Sequence, residues 1–360
     1  MLPRTTIKRL ESIQHEALRA VVGTYRTCPH DFLRLEANVE PLWLRYQKND
    51  EIMYDKYKRL PEGDSRRAMV DSRAPNNRLD TRHGWRNTIA PRVNEEIMRD
   101  VMSVPPPPWR ELVNLKVDYV QLEKKKDRYS PEELRSRAIE KMESLKATIT
   151  IFTDGSTSGR QERGGAGVFV QDEQSKEMIT EMSFAAGRFC SSYTGECVGL
   201  LEAMRWVKNR EATEGSMKVL ICTDSMSLTQ ALEKDNWKDQ DYWVKQIKDV
   251  IYESISEITL LWVPAHCDLE SNEKADELAK RGSELNQSDT PVIHKIVKAK
   301  IKNRKWVIEH ERAASMFGER RSPRVDIERE WPRSVQTLFS RLRSDHAVEL
   351  KHYRWKHLHQ

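Results

Sequence analysis

Cysteine is scarce in this chain: Cys28, Cys190, Cys197, Cys222 and Cys267 are the only five in 360 residues. They are too few and too scattered for a disulfide framework, and none stand at Cys-x-x-Cys metal-ligand spacing, so reduced, packing thiols are expected. Glycine and proline are also sparse, at 14 and 15 positions, which excludes a collagen-like chain. No run approaches the roughly 18 to 20 apolar residues that cross a bilayer. The opening Met1 to Leu10 lacks the apolar stretch of a secretory signal. These absences predict a protein with no membrane contact that stays inside a cell, in nucleus or cytoplasm, and folds as two or three units.

Charge is not scarce, but it is unevenly divided. Residues 1–149 hold 29 Lys+Arg against 23 Asp+Glu, residues 150–286 hold 15 against 24, and residues 287–360 hold 17 against 9. The net +5 therefore conceals an acidic middle between two basic arms. Basic flanks have two readings, a solvated surface or a face for a polyanion, and the middle decides between them.

Periodicity divides the chain further. Ile7, Leu10, Ile13, Ala17, Leu18 and Val21 recur at helical spacing, and Glu40-Pro41-Leu42-Trp43 opens a second helix. From Pro61 to residue 146 the pattern decays, with Arg73 to Asn77 and Pro105 to Pro108 as breaks, and a linker with short helices is expected. From about 147 to 286 strands and helices alternate. Strands are predicted at 148–153, 165–171, 177–185, 218–223 and 258–263, and helices at 194–210, 226–234, 241–255 and 272–285. The first three strands are close enough to form hairpins, whereas the others are joined through helices, so the sheet is mixed. Residues 287–360 read as basic and helical, and there is no internal repeat.

Acidic residues at the ends of apolar strands carry the chemical information. Asp154 and Asp224 each stand where an apolar run stops, Glu196 lies in the first turn of a helix and Asp276 in the first half of another. Singly, Asp154 or Asp224 reads as a cap for the following turn, and Glu196 as a helix-start acid. If the two strands are neighbours, all four converge. Mutual repulsion there makes sense only with divalent cations, and hard oxygen ligands suit Mg²⁺. Glu202, Glu273 and Glu277 read as solvated helix positions.

Five motifs stand in order: Thr153-Asp154-Gly155-Ser156, Tyr193-Thr194-Gly195-Glu196, Thr223-Asp224-Ser225, Trp262-Val263-Pro264-Ala265-His266 and Asn272 to Lys280. Together they resemble the motif series of ribonuclease H, over about 147–286. The resemblance implies an α/β fold, with a mixed five-stranded sheet flanked by helices. It implies that Asp154, Glu196, Asp224 and Asp276 hold two Mg²⁺ or Mn²⁺ ions, with His266 as a mobile proton carrier. It implies endonucleolytic hydrolysis of the RNA strand of an RNA/DNA hybrid, with Gly155, Ser156 and Ser225 as candidate contacts to 2′-hydroxyls. A non-catalytic nucleic-acid-binding remnant of the fold is the alternative, and a transposase-like or integrase-like enzyme a third reading. Where the family commonly has glycines around its histidine, this chain has Ala265, Asp268 and Ser271, so a different loop turn is expected.

The arms resemble other segments. Leu10 to Arg45 is similar to the region after the polymerase core of non-LTR retrotransposon polyproteins, and Leu342 to His359 to the segment before their zinc knuckle. Those likenesses imply part of a retroelement-derived reverse transcriptase polyprotein, although no Tyr-x-Asp-Asp signature is present. No cysteine follows Cys267, so His346, His352, His357 and His359 are expected as surface residues. Trp306, Trp331, Tyr353 and Trp355 are expected to pack rather than stack on bases. The stretch with Asp235, Asp239 and Asp241 is no basic protrusion, so grip on the hybrid is assigned to the arms.

Overall fold

Apolar, β-branched runs at Ile149–Phe152 and Val219–Cys222 pair in parallel and are buried on both faces, which places them at the centre of a sheet. The computed structural model describes residues 4–71, 89, 92, 93, 97, 99, 112–158, 163–234, 242–287, 289–317 and 330–343. They divide into two compact units, one drawn from 1–58, 62–95 and 297–360, the other from 59–61 and 96–296.

The second unit contains the sheet. Its strands are β1 (Leu115–Tyr119), β2 (Ile149–Ser158), β3 (Arg163–Asp172), β4 (Met178–Gly187), β5 (Lys218–Thr223) and β6 (Glu257–Trp262), in spatial order β1-β6-β5-β2-β3-β4. The strands β2, β3 and β4 form an antiparallel meander, while β1, β6, β5 and β2 pair in parallel. The mixed sheet flanked by helices is therefore present, with six strands where five were expected. The additional strand, β1, comes from the segment read as a linker. Its sequence, Leu-Lys-Val-Asp-Tyr, alternates over only five half-exposed residues, too short a signal to separate from the turn-rich stretch around it.

The same segment supplies a core helix. Among the described residues the α-helices, in chain order, are α1 (Arg4–Val22), α2 (His30–Glu36), α3 (Leu42–Lys58), α4 (Ser65–Asp71), α5 (Pro131–Ser144), α6 (Ser192–Glu214), α7 (Met226–Glu233), α8 (Tyr242–Glu253), α9 (Glu270–Glu284), α10 (His294–Phe317) and α11 (Arg333–Arg343). Helix α5 starts with a full capping box. Ser130 Oγ accepts from the Glu133 N–H, the Glu133 carboxylate accepts from the Ser130 N–H, and Pro131 stands at the first helical position. Its Leu134, Ala138 and Met142 are buried with Phe152, Leu220 and Leu261 of the sheet and Ala275 and Leu278 of α9. Leucine and methionine side chains such as Leu134 and Met142 stabilise a fold by about 1.5–3 kcal/mol each when fully buried, so α5 is part of the domain core.

Strand β2 also runs further than its apolar stretch. Parallel pairing with β5 ends at Thr153 opposite Thr223, but β2 continues to Ser158 against β3, with Asp154 opposite Gly167. Gly167 matters for packing, because a Cβ there would stand 2.0 Å from the Ala275 carbonyl oxygen of α9. The missing side chain lets α9 lie directly on the sheet.

The first unit consists of α1 to α4, α11 and the larger part of α10. One core gathers Leu18, Val22, Cys28, Phe32 and Leu33, and another Tyr54, Val70, Ile89 and Val93. Glu51 of α3 is fully buried and pairs with Arg304 Nη2 at 2.5 Å and Lys305 Nζ at 2.8 Å, both from α10. Trp306 departs from the packing expectation. It is 58% exposed and lies against His310, with ring centroids 3.6 Å apart. Trp331 packs against Phe339, while Tyr353, Trp355 and the histidines from His346 onward fall outside the described residues.

Candidate metal-binding acidic site

Parallel pairing across β1, β6, β5 and β2 stops at one level. Tyr119 of β1 is opposite Trp262 of β6, Trp262 opposite Thr223 of β5, and Thr223 opposite Thr153 of β2. Whatever follows those residues is delivered to one edge of the sheet, the edge where ligands bind in open α/β folds. Asp154 follows Thr153 and Asp224 follows Thr223, so register alone sets these carboxylates side by side.

Glu196 reaches the same place from above. Helix α6 is capped by Ser191, whose Oγ accepts from the Thr194 N–H, and it starts at Ser192, so Glu196 lies one residue beyond the first turn expected for it. Gly155 permits the approach. A Cβ on it would stand 2.2 Å from the Glu196 nitrogen and 2.5 Å from the Gly195 carbonyl carbon, so only glycine lets the start of α6 touch β2. Gly155 was expected to contact nucleic acid; its position has this packing cause as well.

One ligand oxygen from each of Asp154, Glu196 and Asp224 lies within 4.8 Å of the others. Hydrogen bonds orient them. The Gly155 N–H donates to Asp154 Oδ1 at 2.8 Å, and Thr223 Oγ1 donates to Glu196 Oε2 at 3.3 Å. The indole N–H of Trp262 donates to the Asp224 carbonyl at 3.1 Å, holding the backbone there. Among the described residues, no Lys, Arg or His side chain forms an ion pair with any of the three.

Titration follows from that isolation. Burial pushes the Asp154 carboxyl up to about 6, with the Asp224 and Asp276 charges adding to the effect. Burial raises Glu196 well above the usual carboxylate range, reinforced by Asp154 and Asp224. Asp224 is raised by burial, and His266 and Lys126 partly offset this. Buried like charges in low dielectric cost free energy that a bound cation would relieve. An all-oxygen donor set of this kind suits a hard divalent ion such as Mg²⁺. The residues present therefore fit a metal site.

The other expected residues lie around this centre. Asp276 is on α9, half-exposed, and its charge is felt by Asp154 and Asp224, but its own carboxylate is bonded to Lys280. His266 is exposed on the loop after β6, close enough for its charge to be felt by Asp224. His266 and Asp268 both have φ of +54°, so left-handed backbone that glycine adopts freely is here held by larger residues. Ser156 and Ser225 are half-buried at the same edge, beside Asp154 and Asp224 in the chain. Ser225 also precedes α7 and its carbonyl accepts from Thr229. Glu202 pairs with Arg205, Glu277 with Lys274, and Glu273 is exposed.

Sequence reasoning missed one group at this edge, Lys125 and Lys126, which line an open pocket with Tyr129, Leu134 and His266. The capping box at Ser130-Pro131-Glu132-Glu133 was the available signal that this stretch is ordered.

Comparison with known proteins agrees with the motif series. Residues 146–284 match the model of the RNase H family. Ribonuclease H of Rhizobium etli is 28% identical over 151 residues, covering 38% of this chain and 91% of that protein. Ribonuclease HI of Pasteurella multocida is 29% identical over 156 residues, covering 39% and 92%. Among solved structures, LC11-RNase H1 in complex with an RNA/DNA hybrid is similar with a TM-score of 0.33 and 21% identity, covering 38% of this chain and 96% of that one.

Proposed function

We propose that this protein hydrolyses the RNA strand of RNA/DNA hybrids, as a metal-dependent endoribonuclease. The observation that carries the reading is the convergence of Asp154, Glu196 and Asp224, none of which forms an ion pair with a Lys, Arg or His among the described residues. The RNase H family match over residues 146–284 supports the hybrid as substrate.

In this reading Asp154, Glu196 and Asp224, joined by Asp276, hold two Mg²⁺ or Mn²⁺ ions. Held by these carboxylates, such ions would supply Lewis-acid activation of water and charge stabilisation at the leaving oxygen of the phosphodiester. The chain itself does the rest. Gly155 N–H and Thr223 Oγ1 keep two carboxylates aimed at the shared centre. His266, exposed at the rim, carries a proton away from or toward that centre, a task suited to an imidazole. Gly155, Ser156 and Ser225 meet 2′-hydroxyls of the RNA strand. The likeness of the arms to retrotransposon polyprotein segments supports a retroelement-derived protein in which the nuclease occupies about 147–286.

The test is a hybrid labelled in its RNA strand, incubated with Mg²⁺. The wild-type chain is expected to cut it, and Asp224→Asn to lower the rate by at least about 10²-fold, since removing a ligand forfeits several kcal/mol of charge stabilisation. Binding without cleavage by the wild-type chain would reject the enzyme in favour of a non-catalytic remnant of the fold.

A further inference from the structure

The segment upstream of the RNase H match ends β1 level with the acidic site and then turns through Glu123 to Arg128, with four basic and two acidic residues. It is exposed, yet its backbone is tied down. Tyr129 Oη accepts from the Glu123 N–H at 3.0 Å and the Lys124 N–H at 3.1 Å, and the Arg137 guanidinium lies 5.2 Å over the Tyr129 ring. A short 3-10 turn at Lys126–Arg128 completes it, with the Arg128 N–H donating to the Lys125 carbonyl at 3.0 Å. No ion pair among the described residues involves Lys124, Lys125 or Lys126.

The placement of two of these lysines is informative. Lys125 and Lys126 line the open pocket that His266 also lines, with Asp127 as its one acidic member. Lys126 is also near enough to Asp224 for its charge to reach that carboxylate. Unpaired ammonium groups on a pinned loop, set beside a carboxylate centre that repels polyanions, provide local attraction where a phosphate chain would otherwise be pushed away.

We propose that Lys125 and Lys126 form a phosphate-binding rim, through which this upstream segment holds the sugar-phosphate backbone of the nucleic acid against the acidic site. The proposal rests on the reading of that site as a nuclease centre. It reassigns part of the grip from the basic arms to the strand-and-turn extension of the domain itself. Being contacts to phosphate, the lysines set affinity and its salt dependence, while base sequence is not read.

The test uses the full chain and a fluorescent RNA/DNA hybrid, with binding followed by anisotropy in EDTA, where cleavage does not intervene. The Lys125→Gln/Lys126→Gln double variant is compared with Lys218→Glu. Both change the net charge by the same amount, but Lys218 is exposed at the far end of β5 from Asp224. Loss of two phosphate contacts is expected to lower the slope of log K against log salt by about 2 and the affinity by about tenfold near physiological salt. Lys218→Glu should leave the slope unchanged. Equal slopes and affinities for the double variant and the wild type would overturn the proposal, as would an equal loss in Lys218→Glu, which would mean that only overall charge matters. Failure of the nuclease reading is seen separately, as a wild-type chain that does not cut the hybrid in Mg²⁺ whatever the binding data show.

Discussion

Two buried carboxylate environments in this protein are opposites. In the helical unit, Glu51 is fully buried and answered by Arg304 and Lys305, so its charge is neutralised by the fold. In the sheet unit, Asp154, Glu196 and Asp224 are brought together with no Lys or Arg paired to them among the described residues. A buried ion pair is costly to break but complete in itself. Three converging acids without a partner are incomplete, and what they lack is the charge a ligand would supply. Function is thus marked less by the presence of buried charge than by the absence of its built-in complement.

The largest effect that would test this contrast is expected at Glu51. Glu51→Ala leaves the 6%-exposed Lys305 without its partner and should destabilise the protein by about 3–5 kcal/mol. Urea denaturation should show that loss, while hybrid cleavage per folded molecule stays unchanged. A fall in specific activity with stability intact would reverse the roles assigned to the two regions.

Gly155→Ala comes next. The added Cβ meets backbone atoms of Gly195 and Glu196, which cannot rotate away, and overpacking of this kind costs about 1–3 kcal/mol. Unlike Glu51→Ala, it should also weaken metal binding, measured by calorimetry with Mg²⁺ or Mn²⁺, because it moves Glu196 away from Asp154. Unchanged metal affinity would show that the convergence does not depend on this close approach.

Asp154→Asn should act in the opposite direction. The folded-state value of Asp154, about 6, lies above its unfolded value, so the folded protein favours the protonated form. Its contribution to stability is complete below about pH 4 and disappears as pH rises through 6. In EDTA at pH 8 the asparagine variant should therefore be more stable than the wild type by on the order of 2 kcal/mol, with the advantage gone below pH 4. Thermal melts across that range check it. Mg²⁺ should then raise the melting temperature of the wild type more than that of the variant.

Asp268→Gly is the smallest. Its φ of +54° suits glycine, so the substitution should relieve local strain, with a stability change under about 1 kcal/mol. The loop then becomes free to leave this conformation, and a change in cleavage rate without a change in metal affinity would locate its effect at His266 rather than at the carboxylates.

Much of this was legible residue by residue. Asp154 and Asp224 stood out because each closes an apolar, β-branched run, and such runs pair in register at a sheet centre. Glu196 was legible as an acid near a helix start, but the helix expected from residue 194 begins at Ser192, capped by Ser191, which leaves Glu196 just past the first turn. The edge strand Leu115–Tyr119 was not, since five half-exposed residues carry no periodicity strong enough to be distinguished from a loop. Helix α5 falls where only a linker with short helices is expected, because its charged face dominates the composition and only the packing shows which face is buried.

What the sequence by itself determined is local: which residues are acidic, which runs are apolar, and where helices are capped, all properties of neighbours in the chain. Only the tertiary structure decided that one oxygen from each of three acids lies within 4.8 Å of the others, that no Lys, Arg or His among the described residues forms an ion pair with them, and that Lys125, Lys126 and His266 line one pocket. The reason is that strand pairing joins residues distant in sequence through backbone hydrogen bonds, which do not discriminate among side chains. The alignment of Tyr119, Trp262, Thr223 and Thr153 at one edge is therefore settled by how the whole sheet packs, and no single segment contains it.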